Sequence, residues 1–218
     1  ANGNVILQSA VPEAMTTQDQ AADFFSGREI ESFYSAIGIG PGLGQAPETL
    51  AGFEQVLNQY VKPIVLDADA LNMLAAKPAL LAKVPAGSIL TPHPGEFKRL
   101  VGDWQNDFDK LEKLSALAQK IKSVVVLKGA YSAVALADGS IYFNSTGNPG
   151  MATGGSGDVL TGILTALLAQ GYSAPDAALI GVYVHGLAGD LAAREIGETS
   201  LIAGDLVNYL PAAFKRLV

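Results

Sequence analysis

Residues 148–158 read NPGMATGGSGD, Asn148 to Asp158, and run directly into the apolar stretch VLTGILTALLAQG, Val159 to Gly171. Gly150, Gly154, Gly155 and Gly157 stand here beside Thr153, Ser156 and Asp158, at the entry of an expected helix. Glycine reaches positive φ and brings no Cβ toward a ligand, so successive backbone N–H groups can converge on an anion. A helix start adds its dipole, worth up to about 2 kcal/mol for a nearby negative charge in a partly buried setting. That geometry suits a phosphate. Asp158 is then either an ordinary helix cap or a base held beside the bound phosphate.

Outward from this segment, short β-rich runs alternate with helical ones, the pattern of βαβ units around a mostly parallel sheet. Strands are expected over Ser35–Gly40, Pro63–Leu66, Ser88–Leu90, Val124–Leu127, Ala133–Ala137 and Ser140–Phe143. Asp138-Gly139 joins the last two as a hairpin, which places an antiparallel edge on the sheet. Helices are expected over PETLAGFEQVLNQY, with Pro47 in its first turn, over DFDKLEKLSALAQKI, and from near Ser156, Ala174 and Ala203. The chain opens on Ala-Asn-Gly and the apolar run VILQSAV with no preceding element to complete a βα unit. It reads as a start in mid-fold or, alternatively, as an edge strand and a loop ending near Phe25.

At 218 residues and 49% hydrophobic content, a single α/β domain over residues 1–218 is the simplest organisation. No apolar run reaches the roughly 18 residues of a membrane span. A net charge of −7, with 14 scattered Lys and Arg, argues against a nucleic-acid surface. The chain has no cysteine, so disulfides and thiolate metal sites are excluded, and a cytoplasmic location is the simplest expectation.

Ligands of open α/β sheets gather beyond the carboxyl ends of the strands, and five strand ends here carry unusual chemistry. GPGLG places Gly40, Gly42 and Gly44 after the first; it lacks both the GxGxxG spacing and the P-loop lysine, and reads as a close backbone approach to a ligand or a tight turn. DADALN follows the second, with Asp67 expected to face the site, Asp69 to cap a helix and Asn72 nearby. TPHPGEF follows the third, a turn stiffened by two prolines that carries His93 and Glu96; His93 is a ligand contact or a satisfied surface histidine. After the fourth, KGAYS offers Lys128 to a phosphate or ribose and Gly129 to a flat base, unless the lysine is simply solvated. The fifth is the glycine-rich segment, and the convergence of all five on one sheet edge is the stronger argument. GGSGD is not a nucleophile elbow, since Asp158 stands where GxSxG needs glycine. His185, inside IGVYVHGLAGDLAA, reads as a packed helical histidine with no assigned role.

Taken in order, GPGLG, DADALN, TPHPGEF, VVVLKGAYS and NPGMATGGSGDVLTGILTALLAQG resemble the ribokinase-like superfamily. Within it they resemble the carbohydrate-kinase-related dehydratases that repair hydrated NADH and NADPH. The resemblance covers nearly the whole chain. Gly155-Ser156-Gly157-Asp158 matches the GxGD element shared with the sugar and vitamin kinases, but those commonly carry Asn in a TPNxxE turn where this chain has His93, which favours the dehydratases. The resemblance implies a three-layer α/β/α fold with a mostly parallel central sheet and an antiparallel edge hairpin. It implies that ADP or ATP, with Mg²⁺, phosphorylates the hydroxyl of the hydrated nicotinamide ring and that loss of phosphate restores the double bond. Asp158 would be the catalytic base. Gly42, Gly44, Asp67, Asn72, His93 and Asp158 would meet the hydrated dinucleotide. Lys128, Gly129, Ala130, Tyr131 and Ser132, with Thr153, Gly154, Gly155, Ser156 and Gly157, would line the nucleotide, and Glu96 would order Mg²⁺ through water. Family members usually begin with a further βα segment to which nothing before Val5 corresponds, and bacterial members are often fused to an epimerase. A homo-oligomer, commonly a tetramer, and a fused or separate epimerase partner are implied as well. The alternatives are a small-molecule kinase of the same superfamily and a non-catalytic nucleotide-binding domain.

Overall fold

A computed structural model describes residues 2–27, 30 and 33–217. One six-stranded sheet runs in sequence order: β1 (Ile37–Ile39), β2 (Ile64–Leu66), β3 (Ile89–Leu90), β4 (Val124–Leu127), β5 (Ala133–Ala135) and β6 (Ile141–Phe143). Each strand lies within its expected segment. β1 to β4 are mutually parallel, and β5 and β6 close the sheet antiparallel. Asp138-Gly139 turns the hairpin: Gly139 has φ 94°, and the Asp138 carboxylate accepts from Ser140 N at 2.9 Å. β2 and β4 are buried along their whole length, which is why they read as unbroken IVL and VVVL.

Alternation along the strands divides the core into two layers. Leu66, Leu90, Val125, Leu127 and Ala133 face helices α2 (Pro47–Gln59), α3 (Ala68–Ala76), α4 (Pro94–Val101) and α5 (Asp107–Ile121). Val65, Ile89, Val124, Val126 and Val134 face α6 (Ser156–Ala169) and α7 (Ala174–Ile196). Parallel neighbours joined in sequence by crossovers of one hand put their connecting helices on one face. The hairpin releases the chain to the other. α8 (Ala203–Phe214) packs outside α7, with Ala213 buried against Val184 and Leu187.

Two elements differ from expectation. Residues Asn2–Ala10 form a helix, α1, rather than an edge strand. A strand without a neighbour leaves its backbone groups unpaired, whereas a helix satisfies them locally; Ser9 Oγ also donates to Val5 O at 2.8 Å. The Pro-stiffened turn TPHPGEF is the start of α4, with Pro94 in the first helical turn, where its missing N–H costs nothing. Phe97 anchors α4 in the core and is fully buried, so its truncation to Ala would cost about 3–5 kcal/mol. Among the described residues, no helix is long and apolar enough to cross a membrane.

Candidate active site

The parallel strands deliver their carboxyl ends to one edge, where neighbouring loops are stitched by backbone bonds: Asp67 N to Ile39 O at 3.2 Å, Thr91 N to Leu66 O at 3.0 Å and Lys128 N to Pro92 O at 2.9 Å. At the end of β1, Gly40 (φ 131°) lies so close to the Asp67 carbonyl that any side chain would collide with it. Gly42 (φ 63°) and Gly44 (φ 80°) face open space. Asp69 caps nothing; its carboxylate holds this turn instead, accepting from Gly44 N at 2.8 Å and from Gln45 Nε2 at 2.7 Å.

Asp67 follows directly on β2, and both of its oxygens are engaged. Oδ1 pairs with Lys128 Nζ at 2.7 Å, and Oδ2 accepts from Thr161 Oγ1 at 2.9 Å, with Asp67 1% exposed. A buried carboxylate needs such partners. Asp67 therefore fixes the position of the Lys128 ammonium. The next residue, Ala68, has φ 46°, a left-handed conformation unusual outside glycine and of the kind that collects at functional sites. Asn72 is also engaged, accepting from Arg99 Nε at 2.9 Å.

At the start of α4, His93 and Glu96 form a reciprocal capping box. Gly95 N donates to His93 Nδ1 at 3.0 Å and His93 N donates to Glu96 Oε2 at 2.8 Å, while Glu96 Oε1 lies 3.4 Å from His93 Nε2. The Glu96 side chain is nearly buried, whereas half of the His93 side chain faces solvent. In the loop after β4, Ser132 Oγ closes the turn on Gly129 O at 3.3 Å and Tyr131 is 75% exposed.

The start of α6 has no side-chain cap. Gly155 takes a left-handed conformation (φ 86°), and the first i to i+4 bond is Val159 N to Gly155 O at 3.0 Å. The N–H groups of Gly157 and Asp158 in the first turn have no intrahelical partner. A Cβ on Gly157 would stand 3.3 Å from Lys128 Nζ, so this helix start and the Lys128–Asp67 pair are adjacent. The Asp158 side chain is exposed and caps nothing. Below it, His185 on α7 donates from Nε2 to Ser156 O at 2.9 Å. Burial pushes its pKa down from 6.5 to about 4, against the opposing effect of that hydrogen bond. Sequence reasoning missed Thr161 as a partner of Asp67; its signal was a polar residue within the apolar run of α6.

A family model described as NAD(P)H-hydrate dehydratase matches residues 2–212. The chain belongs to the NAD(P)H-hydrate dehydratase family. It is similar to a bifunctional NAD(P)H-hydrate repair enzyme of Moorella thermoacetica, 45% identical over 183 residues that make up 83% of this chain and 34% of that protein. The chain thus spans about a third of that relative. Among solved structures it resembles the ADP/ATP-dependent NAD(P)H-hydrate dehydratase of Bacillus subtilis co-crystallised with ATP and Mg²⁺, with TM-score 0.83 and 34% identity over 100% of this chain and 76% of that one. A ribokinase-like superfamily protein from Enterococcus faecalis shares the fold, with TM-score 0.69 and 30% identity over 84% of this chain and 63% of that one. The dehydratase fold is accordingly the ribokinase-like α/β/α sandwich.

Proposed function

We propose that this chain carries out the nucleotide-dependent dehydration of hydrated NADH or NADPH, a carbon–oxygen lyase reaction with ADP or ATP as phosphoryl donor. The observation that carries the proposal is the uncapped, glycine-lined start of α6, whose N–H groups lie beside the Lys128 ammonium and whose Asp158 carboxylate is exposed. Phosphoryl transfer needs positioned positive charge and N–H donors more than covalent help from the protein. The N–H groups of Gly157 and Asp158 receive the transferring phosphate, and Lys128, held by Asp67, balances its charge. Asp158 accepts the ring hydroxyl's proton as that oxygen bonds to phosphorus and the bond to the leaving nucleotide breaks. Loss of phosphate from that ring carbon and of a proton from its neighbour then restores the double bond.

Gly42, Gly44 and His93 would contact the hydrated dinucleotide, and the loop from Lys128 to Ser132, with residues 153–157, would line the nucleotide. Asn72, tied to Arg99, serves the same edge indirectly. Among the described residues, no three His, Asp or Glu side chains gather to bind an ion directly. A Mg²⁺ that travels on nucleotide phosphates needs only one or two carboxylates and keeps several waters, which the nearly buried carboxylate of Glu96 fits. When bound, the ion would neutralise charge on the phosphates. A homo-tetramer and an epimerase partner, fused or separate, belong to the same proposal; the relative named as bifunctional supports a fused arrangement, with residues 1–218 as the dehydratase part.

The test is to supply hydrated NADPH with ADP or ATP and Mg²⁺, following reduced-nicotinamide absorbance and free phosphate. Return of absorbance with stoichiometric phosphate is the expected result. A phosphorylated product without either would make the chain a small-molecule kinase, and nucleotide binding without turnover would make it a binding domain.

A further inference from the structure

One helix, α7, holds the loop that leads into α6 along its length. Thr146 Oγ1 donates to Tyr183 O at 2.8 Å. A side chain at Gly186 would collide with Thr146, and one at Gly189 with the Met151 thioether, so the loop lies directly on the helix backbone at both positions. Asp190 then takes two donors at once, Gly147 N on Oδ2 at 2.9 Å and Asn148 Nδ2 on Oδ1 at 3.0 Å. This orients the Asn148 amide so that its oxygen accepts from Gly150 N at 3.1 Å. Tyr183, Gly186 and Asp190, spaced by three and four, share one stripe of α7. At the far end of the loop, His185 donates to the Ser156 carbonyl in the first turn of α6.

A loop with glycines at positions 147, 150, 154, 155 and 157 has large backbone entropy to lose. Donors that must bind a phosphate act best when they are already fixed. We infer that Asp190 and His185 are positioning residues for the nucleotide phosphate: from α7 they hold the glycine-rich loop so that the N–H groups of Gly157 and Asp158 are presented together, while neither touches the nucleotide. His185 suits this task as a neutral donor, since burial keeps its pKa at about 4. The inference rests on the proposed phosphate site at α6.

The test measures ADP binding by calorimetry, amide exchange across residues 147–157 and melting temperature. Asp190→Asn keeps the side chain's size but turns an amide N–H₂ toward one of the two donors. It is expected to weaken ADP binding by about tenfold, speed exchange at Gly147 and Gly150, and leave the KM for hydrated dinucleotide within about twofold. His185→Gln, which retains a donor, should keep ADP affinity within about threefold, whereas His185→Leu should lose about tenfold. Asp190→Asn with native melting and native ADP affinity would overturn the inference, as would His185→Leu binding as well as His185→Gln. A native chain that takes up no ADP overturns the phosphate site as well as the inference, whereas native uptake with unchanged variants overturns the inference alone.

Discussion

The starts of α4 and α6 face the same sheet edge and are finished in opposite ways. α4 is closed by its own side chains, with His93 and Glu96 each satisfying a backbone N–H of the other's segment. α6 begins on a left-handed glycine with no side-chain cap, next to a lysine whose charge is held by a buried aspartate. Both histidines of the chain serve these helix starts, His93 half exposed as a cap and His185 buried as a brace. A helix start that caps itself contributes stability; one left open keeps its donors for a ligand.

The sharpest way to break this contrast is at Asp158. Asp158→Asn should lower kcat by on the order of 10²–10⁴ while ADP binding changes little, since a general base is lost and the N–H donors remain. Turnover close to native in single-turnover assays would make Asp158 a bystander at an anion site. His185 offers the next test, by pH. The folded chain holds His185 at about 4 against 6.5 in the unfolded chain, so the unfolded state takes up a proton first as the pH falls. Stability is therefore full above the unfolded value and declines below it, by roughly 2 kcal/mol between about pH 7 and pH 5. Chemical denaturation of the native chain and His185→Gln over this range should show that decline only in the former; parallel curves would remove His185 as its source.

Gly157→Ala sharpens the contrast by exchanging function for stability. Alanine inside a helix is favoured over glycine by about 0.5–1 kcal/mol, yet its Cβ would stand 3.3 Å from Lys128 Nζ, at the mouth of the proposed phosphate site. A higher or unchanged melting temperature with ADP affinity down by about tenfold is expected; unimpaired binding would show that the anion does not approach here. The smallest effect belongs to the closed start. His93→Ala should cost about 1 kcal/mol for the lost cap, together with a raised KM for the hydrated dinucleotide. A lowered melting temperature with an unchanged KM would leave His93 as a cap alone.

Features carried by local pattern were legible in the sequence. The six strands, the Asp138-Gly139 hairpin and the helix starts at Pro47, Ser156, Ala174 and Ala203 all lie where apolar runs, Pro and Gly put them. α4 is hidden because Pro94 reads as stiffening a turn; the separation of His93 from Glu96 by three residues, as in a capping box, is the available signal. The apolar run of α1 reads equally as a start in mid-fold or as an edge strand, because composition does not reveal whether a strand has a neighbour. What stayed out of reach were bonds between distant residues: Asp69 to Gly44, 25 positions apart, and Asp190 to Gly147, 43 apart. Asp69 looked like a cap because a carboxylate near a helix start usually is one.

The hydrogen bond from Thr161 to Asp67 spans 94 residues and joins a helix of the second layer to a strand end packed by the first. Contacts of such sequence separation form late, after much of the chain entropy has been surrendered. β1 to β4 with their helices do not by themselves include Thr161, whose hydroxyl orients Asp67 against Lys128. A nucleotide bound at the proposed site would require both halves of the sandwich and would in turn stabilise the closed molecule by mass action.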